Sequence, residues 1–439
     1  MNNSDKNKTD KNKNVMIISF AFPPLGGSGV QRILKFAKYL PSYGWNPVIL
    51  TVKEAVFHIY TDENCKDLKV YRTGFFDFLN MKRKFTKNKE GSENNINPTK
   101  ENGKNLLKYF TGFFNQYFLI PDDKIGWLLP AVKEGLKIIK KENIDIIYAT
   151  GDPFSSFLIG TLLKKLTGKK LVIDYRDSWT DFNLTDPIYF KGTYRKGIEN
   201  LMESYALKTA DKIISVSPVI NEKLQKKHPE IPKEKYDIIH NGYDSEDFNG
   251  LQKEKNQKFT ITHTGIFTAS RSPEVFLKAL SELVKEDNGI RDNIRVKFIG
   301  ASLEKDLNQM INKYNLGEYI DIPGYLNHAE CVKEIINSDA LLLIQDYKYL
   351  EAYSGKIFEY LYSKNPILGI VPPTGCAAQL IEETSSGIVP EDDTVKSVKE
   401  AIKKVYYNKG FKPGMEIIEQ YDRKKLTEKL AGLLGAVNV

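Results

Sequence analysis

The stretch that decides the fold is Val15-Met16-Ile17-Ile18-Ser19-Phe20, the loop Phe22-Pro23-Pro24-Leu25-Gly26-Gly27-Ser28-Gly29, and the run 30–40 that follows. Five of the six residues 15–20 are apolar and most are β-branched or aromatic, as in a parallel strand buried on both faces. Val30, Ile33, Leu34, Ala37 and Leu40 then recur on one helical face. Residues 47–52 read as the next strand. This β-α-β opening predicts a parallel sheet, because only a helical crossover returns the chain in the same direction.

Outward from there the alternation continues. Strands are expected at 144–149, 170–175, 212–216 and 236–240, with helices at 156–166 and 199–208. Asn241-Gly242 is a turn signal. The polar residues 244–258 read as an interdomain linker. A second alternating run then places strands at 260–264, 295–299, 320–322, 340–344 and 366–369. The expected architecture is α/β, with two doubly wound Rossmann-like domains, 15–243 and 259–412, facing across a cleft. Residues 413–439 would form a C-terminal helix crossing back to the first domain. Residues 1–14 read as a disordered tail, and the Lys-, Asn-, Glu- and Ser-rich run at about 82–104 as a mobile insertion.

The chain has 439 residues, enough for two cores, and its 41% hydrophobic content supports packed domains. Lys and Arg number 64 against 56 Asp and Glu, a formal charge of +8. The excess is spread along the chain with no recognition motif, so it suits an anionic ligand or membrane surface better than nucleic acid. Cys65, Cys331 and Cys376 form no C-x-x-C pair, and the five histidines have no H-x-x-x-H spacing. Neither a zinc knuckle nor a disulfide framework is indicated. The apolar run near the start breaks at Pro23 and Pro24, too early for a signal peptide. No run approaches the roughly 18 apolar residues of a membrane span. A cytoplasmic location is expected.

Two motifs carry chemistry. Gly26, Gly27 and Gly29 sit between a strand end and a helix start, where bare backbone and a helix N-terminus favour a phosphate. The dinucleotide fingerprint would need glycine at 32, where Arg32 stands, which argues against a nicotinamide enzyme. The second motif is Glu351-Ala352-Tyr353-Ser354-Gly355-Lys356-Ile357-Phe358-Glu359. Two carboxylates bracket a loop and the start of a helix expected at 356–362. Glu351 could meet a sugar hydroxyl and Glu359 ribose hydroxyls. Lys356 and the N–H groups near Ser354 and Gly355 could meet phosphate charge.

In order along the chain come the glycine-rich loop, Asp211-Lys212-Ile213-Ile214-Ser215-Val216-Ser217, Asn241-Gly242-Tyr243-Asp244, Thr264-Gly265, Pro323-Gly324-Tyr325 and the E-x7-E element. Together they resemble the retaining glycosyltransferases of family 4, the "group 1" set, over nearly the whole chain outside the tail and the 82–104 insertion. The resemblance implies a GT-B fold, with the donor held mainly by the second domain and the acceptor by the first. It implies that Glu359 binds ribose, that Glu351 approaches the transferred hexose, and that the backbone of Gly27, beside Gly26, reaches the donor phosphates. Arg271 and Lys356 would neutralise the diphosphate in place of a metal, with Gly265, Ser354 and Gly355 beside it. Gly324 and Tyr325 would lie near the base. No Asp-x-Asp pair is present, and no metal site or cofactor is assigned.

Two departures matter. Members often carry both an Arg and a Lys after the first strand of the second domain; here Arg271 is the single basic residue of 264–271, so the clamp is rebuilt around Lys356. Many also have a His near the reacting sugar, where this chain has Asp174-Tyr175-Arg176-Asp177-Ser178-Trp179. Asp177 or Arg176 takes that place, or the two are a buried ion pair at a strand end.

The expected function is transfer of a hexose-type sugar from a UDP- or GDP-linked donor to a glycan or lipid-linked acceptor in cell-surface polysaccharide or glycoconjugate assembly. The competing readings are a nucleotide-sugar 2-epimerase of the same fold and a non-catalytic sugar-nucleotide binder. The aromatic, lysine-flanked segment 104–119 is open to two readings, a peripheral contact with the inner face of the membrane or a helix packed on the first domain's core.

Overall fold

The structure is a computed structural model that describes residues 12–26, 28–53, 65–77, 119–179, 193–300, 304–351, 353–407 and 410–438. The expected insertion at 82–104, all of 104–119 except Leu119, and the tail up to residue 11 lie outside the described residues.

The first sheet grows from β1 (Lys13–Ile18), which pairs in parallel with β2 (Trp45–Val52) on one side and β4 (Ile146–Gly151) on the other. Its full order is β3-β2-β1-β4-β5-β6-β7, with β3 at Lys69–Thr73, β5 at Lys170–Tyr175, β6 at Lys212–Ser215 and β7 at Tyr236–Ile238. Every described pairing is parallel. β1 starts at Lys13, inside the stretch expected as tail. Lys13 pairs with Trp45, and the Asn14 N–H donates to Asp145 Oδ2 at 2.7 Å. Polar residues are drawn into a strand end there by ladder bonds that no hydrophobic pattern announces.

The described helices of this unit are α1 (Ser28–Tyr39), α2 (Leu128–Lys141), α3 (Ser155–Thr167), α4 (Thr193–Thr209) and α5 (Pro218–Lys227). Right-handed crossovers put α1 on one side of the sheet and α2 to α4 on the other. The core is formed by strand residues such as Met16, Ile18, Leu50, Ile147 and Ile173, closed by Trp127, Phe154, Phe157 and Trp179, all buried.

The second sheet is also parallel, in the order β10-β9-β8-β11-β12-β13. Its strands are β8 (Phe259–Thr264), β9 (Ile294–Ile299), β10 (Ile320–Gly324), β11 (Ala340–Ile344), β12 (Ile367–Ile370) and β13 (Gly387–Ile388). Its described helices are α6 (Glu274–Glu286), α7 (Asn288–Asn293), α8 (Glu304–Lys313), α9 (His328–Asn337), α10 (Lys356–Ser363), α11 (Cys376–Glu383), α12 (Val395–Tyr407) and α13 (Met415–Ile418); a last helix, α14 (Arg423–Val437), begins in this unit and runs into residues that group with the first. Both orders reverse once, between β1 and β4 and between β8 and β11. Those reversals are the switch points at which open α/β sheets bind ligands.

The described residues fall into two compact units, one of those up to 216 with 220–239 and those from 427 on, the other of 217–219 and those within 240–426. The stretch 244–258, expected as a linker, is instead packed on the second unit. Phe248 is buried with its ring against Tyr362, on which Tyr243 stacks at 4.1 Å. Lys253 Nζ donates to the Ser338 carbonyl at 2.6 Å, and Asn256 Nδ2 to Asp339 Oδ2 at 2.9 Å. Its polar side chains satisfy backbone and carboxylate groups, so it reads as polar without being free. Residues 413–426 stay with the second unit, and the last thirteen, 427–439, group with the first.

Candidate active site

The second unit assembles most of the expected site. β8 ends at Thr264, and the chain leaves it through Gly265, whose φ of +123° lies outside the range that side chains tolerate. A Cβ at Gly265 would fall 1.7 Å from Lys356 Nζ. The lysine ammonium therefore rests on bare backbone at the C-terminal end of a central strand. Next to it the Gly265 N–H donates to the Ile299 carbonyl and the Gly300 N–H to the Gly324 carbonyl, each at 2.7 Å.

Why Lys356 arrives there follows from α10. Tyr360 is buried, and its hydroxyl accepts from the Thr264 N–H at 3.0 Å and lies 3.1 Å from Thr264 Oγ1. Lys356 is one turn earlier on the same helical face, so pinning Tyr360 to the end of β8 carries Lys356 over Gly265. Lys356 is the first residue of α10, where the helix dipole adds positive potential. Enclosure of the ammonium, and then repulsion from Arg271, push its pKa down to about 8, while Glu359 and Cys331 pull the other way. Arg271 is exposed, its N–H held by the Thr268 carbonyl at 3.0 Å. Two cations that repel each other across a partly dry pocket can meet an anion there.

Glu359, three residues after Lys356, has Oε1 3.0 Å from His328 Nε2. His328 opens α9 just after a capping box in which the Asn327 and Glu330 side chains each accept the other's N–H at 3.0 Å. This fixes the imidazole, which in turn orients the carboxylate. His328 was not singled out from the sequence. The signal lies in Asn327-His328-Ala329-Glu330, a helix start directly after the Gly324-Tyr325 turn. Tyr325 is 72% exposed, free to face an incoming ring. Ser354 and Gly355 form the entry to α10, and the Ile357 N–H bonds the Ser354 carbonyl at 3.0 Å. Glu351 is buried, and its carbonyl accepts from Ser217 Oγ at 2.6 Å.

His263, in β8 behind Gly265, is buried and stacked on Phe267 at 4.5 Å, with Nδ1 2.8 Å from the Leu342 carbonyl. Burial first, then the Lys356 charge, push its pKa down to about 3, so it is neutral at any physiological pH.

In the first unit, Gly27 lies outside the described residues and Gly26 is partly buried. A Cβ at Gly29 would fall 1.8 Å from Arg176 Nη1, so the glycine admits the guanidinium against the first turn of α1. Arg176 Nε donates to the Gly151 carbonyl at 2.7 Å, and Nη2 to that of Asp152. Arg176 and Asp177 are partly exposed. The fully buried ion pair at this strand end joins other residues. Arg32 Nε and Nη2 meet Asp174 Oδ2 and Oδ1 at 3.0 and 2.8 Å, and Arg32 Nη2 also meets the Ile239 carbonyl at 2.9 Å. Residue 32 is an arginine because it ties α1 to β5 and to the chain after β7.

Asp152, after β4, was also not expected. Burial, and then Asp122, raise its pKa to about 7 against the pull of Arg176. A carboxyl poised near neutrality at a switch point can accept or give a proton. Among the described residues no group of three or more His, Cys, Asp and Glu could hold a metal ion.

No curated protein matches the sequence. Similar solved structures include the Anabaena protein HepE in complex with UDP, at 14% identity, TM-score 0.61, covering 97% of this chain and 100% of that one. Sucrose-phosphate synthase from Thermosynechococcus elongatus matches at 12% identity and TM-score 0.58, over 97% and 96% of the two chains. The UDP-GlcNAc 2-epimerase of Methanocaldococcus jannaschii matches at 13% and 0.53, over 96% and 99%. At these identities the likeness shows the fold, which is GT-B. Residues 107–247 match the family described as Glycosyltransferase Family 4, and residues 244–425 that described as Glycosyl transferases group 1. With a Lys356–Arg271 pocket at the end of β8 and family matches running from 107 to 425, the chain belongs to the group 1 glycosyltransferases of GT-B fold.

Proposed function

We propose that the protein transfers a hexose from a UDP- or GDP-linked donor to a glycan or lipid-linked acceptor, with retention of anomeric configuration, in the assembly of a cell-surface polysaccharide or glycoconjugate. The observation that carries the reading is Lys356 resting on Gly265 with Arg271 nearby and Glu359 one turn along. In glycosyl transfer the bond from the anomeric carbon to the diphosphate breaks, and negative charge grows on the departing oxygen. Lys356, Arg271 and the N-terminus of α10 meet that charge where it develops, which lowers the barrier more than it tightens substrate binding. Glu359, oriented by His328, accepts from ribose hydroxyls. Tyr325 lies beside the base, Gly26 and Gly27 approach the phosphates, and Glu351 approaches the hexose. Retention is carried over from the E-x7-E resemblance. Asp177 or Arg176 stands in for the family histidine, and Asp152 is a further candidate to handle the acceptor proton.

The reaction as written needs no cofactor or metal. A cytoplasmic location, at the inner face of the membrane, goes with a lipid-linked acceptor; no described helix is long and apolar enough to cross a membrane. UDP-sugars are the first to test, since HepE was solved with UDP. A thermal-shift panel of nucleotide sugars should raise Tm for one base and sugar, and Glu359→Ala should lose that shift about tenfold in affinity, a lost charge-assisted bond. Unchanged donor affinity in the variant would remove Glu359 from the site. Incubation with donor alone separates the readings. Epimerised sugar without acceptor would make the protein an epimerase, and product only with acceptor makes it a transferase.

A further inference from the structure

Helices α2, α3 and α4 lie side by side on one face of the seven-stranded sheet. α2 packs on α3, where the Leu163 side chain fills the space beside Gly135, and α3 packs on α4. Each helix turns a stripe away from the sheet, and each stripe carries large apolar side chains where a solvated helix carries polar ones. On α2 the stripe holds Leu129 and Leu136, seven residues apart; on α3 it holds Leu162 and Leu166; on α4 it holds Leu201 and Tyr205. Leu129 and Leu201 are each 73% exposed, and Leu166 62%. One such residue would need no explanation, since apolar atoms make up much of any surface. Six on three adjoining helices form a patch of the kind that marks an interaction site.

The charges on this face that have no ion-pair partner among the described residues are basic. Lys133 and Lys140 share the α2 stripe with the leucines, and Lys165 shares that of α3. All three are exposed and have no carboxylate partner among the described residues. Lys165 Nζ lies 5.8 Å from the Tyr205 ring centre, which joins the α3 and α4 stripes into one surface. Lys137 and Lys208 stand on the same stripes in solvent-exposed pairs with Glu134 and Glu230. Both carboxylates of α4 point inward: Glu199 meets buried Arg195, and Glu203 meets Lys227 and His228. What faces solvent is leucine and tyrosine interleaved with lysine.

We propose that the α2–α3–α4 face docks the protein on an anionic lipid surface, its leucines and Tyr205 entering the interfacial zone and its lysines meeting the headgroup phosphates. Interfacial elements combine an apolar stripe with flanking Lys in this way, and the long lysine stems lie along the apolar patch while the ammonium reaches water or phosphate. A second copy of the chain is the weaker fit, because packing the face on itself brings unpaired lysines together. Docking through this face does not depend on the donor site, and either can fail without the other.

The test is co-sedimentation of the full chain with vesicles of equal parts phosphatidylcholine and phosphatidylglycerol, and with phosphatidylcholine alone. Binding is expected to the anionic vesicles, weakened by added salt because headgroup attraction is screened. Lys133→Gln, Lys140→Gln and Lys165→Gln together should lower the affinity about a hundredfold, at about fivefold, or 1 kcal/mol, for each lysine near an anionic surface. Leu129→Gln, Leu166→Gln and Leu201→Gln together should also weaken binding while Tm and UDP affinity hold, since these side chains are exposed. Equal binding to neutral vesicles, or binding indifferent to both sets of changes, would overturn the proposal. So would a dimer seen by sedimentation velocity that the leucine changes dissolve while vesicle binding persists.

Discussion

Titrating Lys356 offers a test of the donor pocket that separates charge from shape. Its pKa is lowered from 10.5 to about 8, by enclosure first and by Arg271 second. If only the ammonium form holds a diphosphate, the apparent Kd grows as one plus the ratio of neutral to charged lysine. At pH 7 about a tenth of the lysine is neutral, and at pH 9 there are about ten neutral for each charged. Affinity for UDP should therefore fall about tenfold between these pH values, or about 1.4 kcal/mol. The empty protein should respond in the opposite sense. A lysine with a depressed folded pKa is a burden while charged, so that contribution to stability rises as pH climbs from about 8 toward 10.5. Bound diphosphate pulls the pKa back up, so binding near pH 8 should take up about half a proton. Isothermal titration calorimetry with UDP, in buffers of different ionisation enthalpy, measures both quantities. Lys356→Gln shares the ligand's own titration but lacks the ammonium, so the difference between the two pH curves isolates the lysine. A wild-type affinity that tracks the variant from pH 7 to 9, with no proton uptake, would refute the assignment.

Other expectations follow from the same contacts. His263 is depressed from 6.5 to about 3, so the unfolded chain binds the extra proton in that window and stability falls on acidification through it. Denaturation at pH 7 and pH 5 should differ by about 2 kcal/mol from this residue, a difference that His263→Gln removes. Arg32→Met should cost about 3–5 kcal/mol by leaving the Asp174 carboxylate buried and unpaired, and adding Asp174→Leu should recover part of it; a loss below 1 kcal/mol in urea titrations would mean that water reaches the pair. His328→Ala should raise the donor KM about tenfold with a smaller change in kcat, the cost of a charged hydrogen bond that orients Glu359. Gln at 328 can still donate and should restore most of it, whereas a purely structural role would show as lost Tm in both variants.

Several elements were legible because their determinants are local. β5 at 170–175 and β11 at 340–344 fall where the apolar runs do, since a strand buried on both faces is a continuous hydrophobic run. The start of α10 at Lys356 was readable from the glycine before it and the apolar spacing after it. The edge strands β3 and β13 were not. Lys69–Thr73 alternates charge with apolar residues, and β13 is two residues long, so each owes its state to a neighbouring strand. The stretch 244–258 deceived for a related reason. Phe248 is its one buried large hydrophobe, and a single residue makes no pattern.

By itself the sequence determined the two doubly wound units and the residue types able to meet a nucleotide diphosphate, because periodicity and turn chemistry are written in neighbouring residues. Only the tertiary structure decided which of those residues meet. Gly265 and Lys356 are ninety-one positions apart in sequence, yet they touch because Tyr360 pins α10 to the end of β8. His328 became the partner of Glu359, and Arg32 that of Asp174, by the same kind of long-range packing. Enclosure and field exist only once the chain has closed around a group. So the neutrality of His263 and the half-poised charge of Lys356 belong to the fold and could not be read from the residues alone.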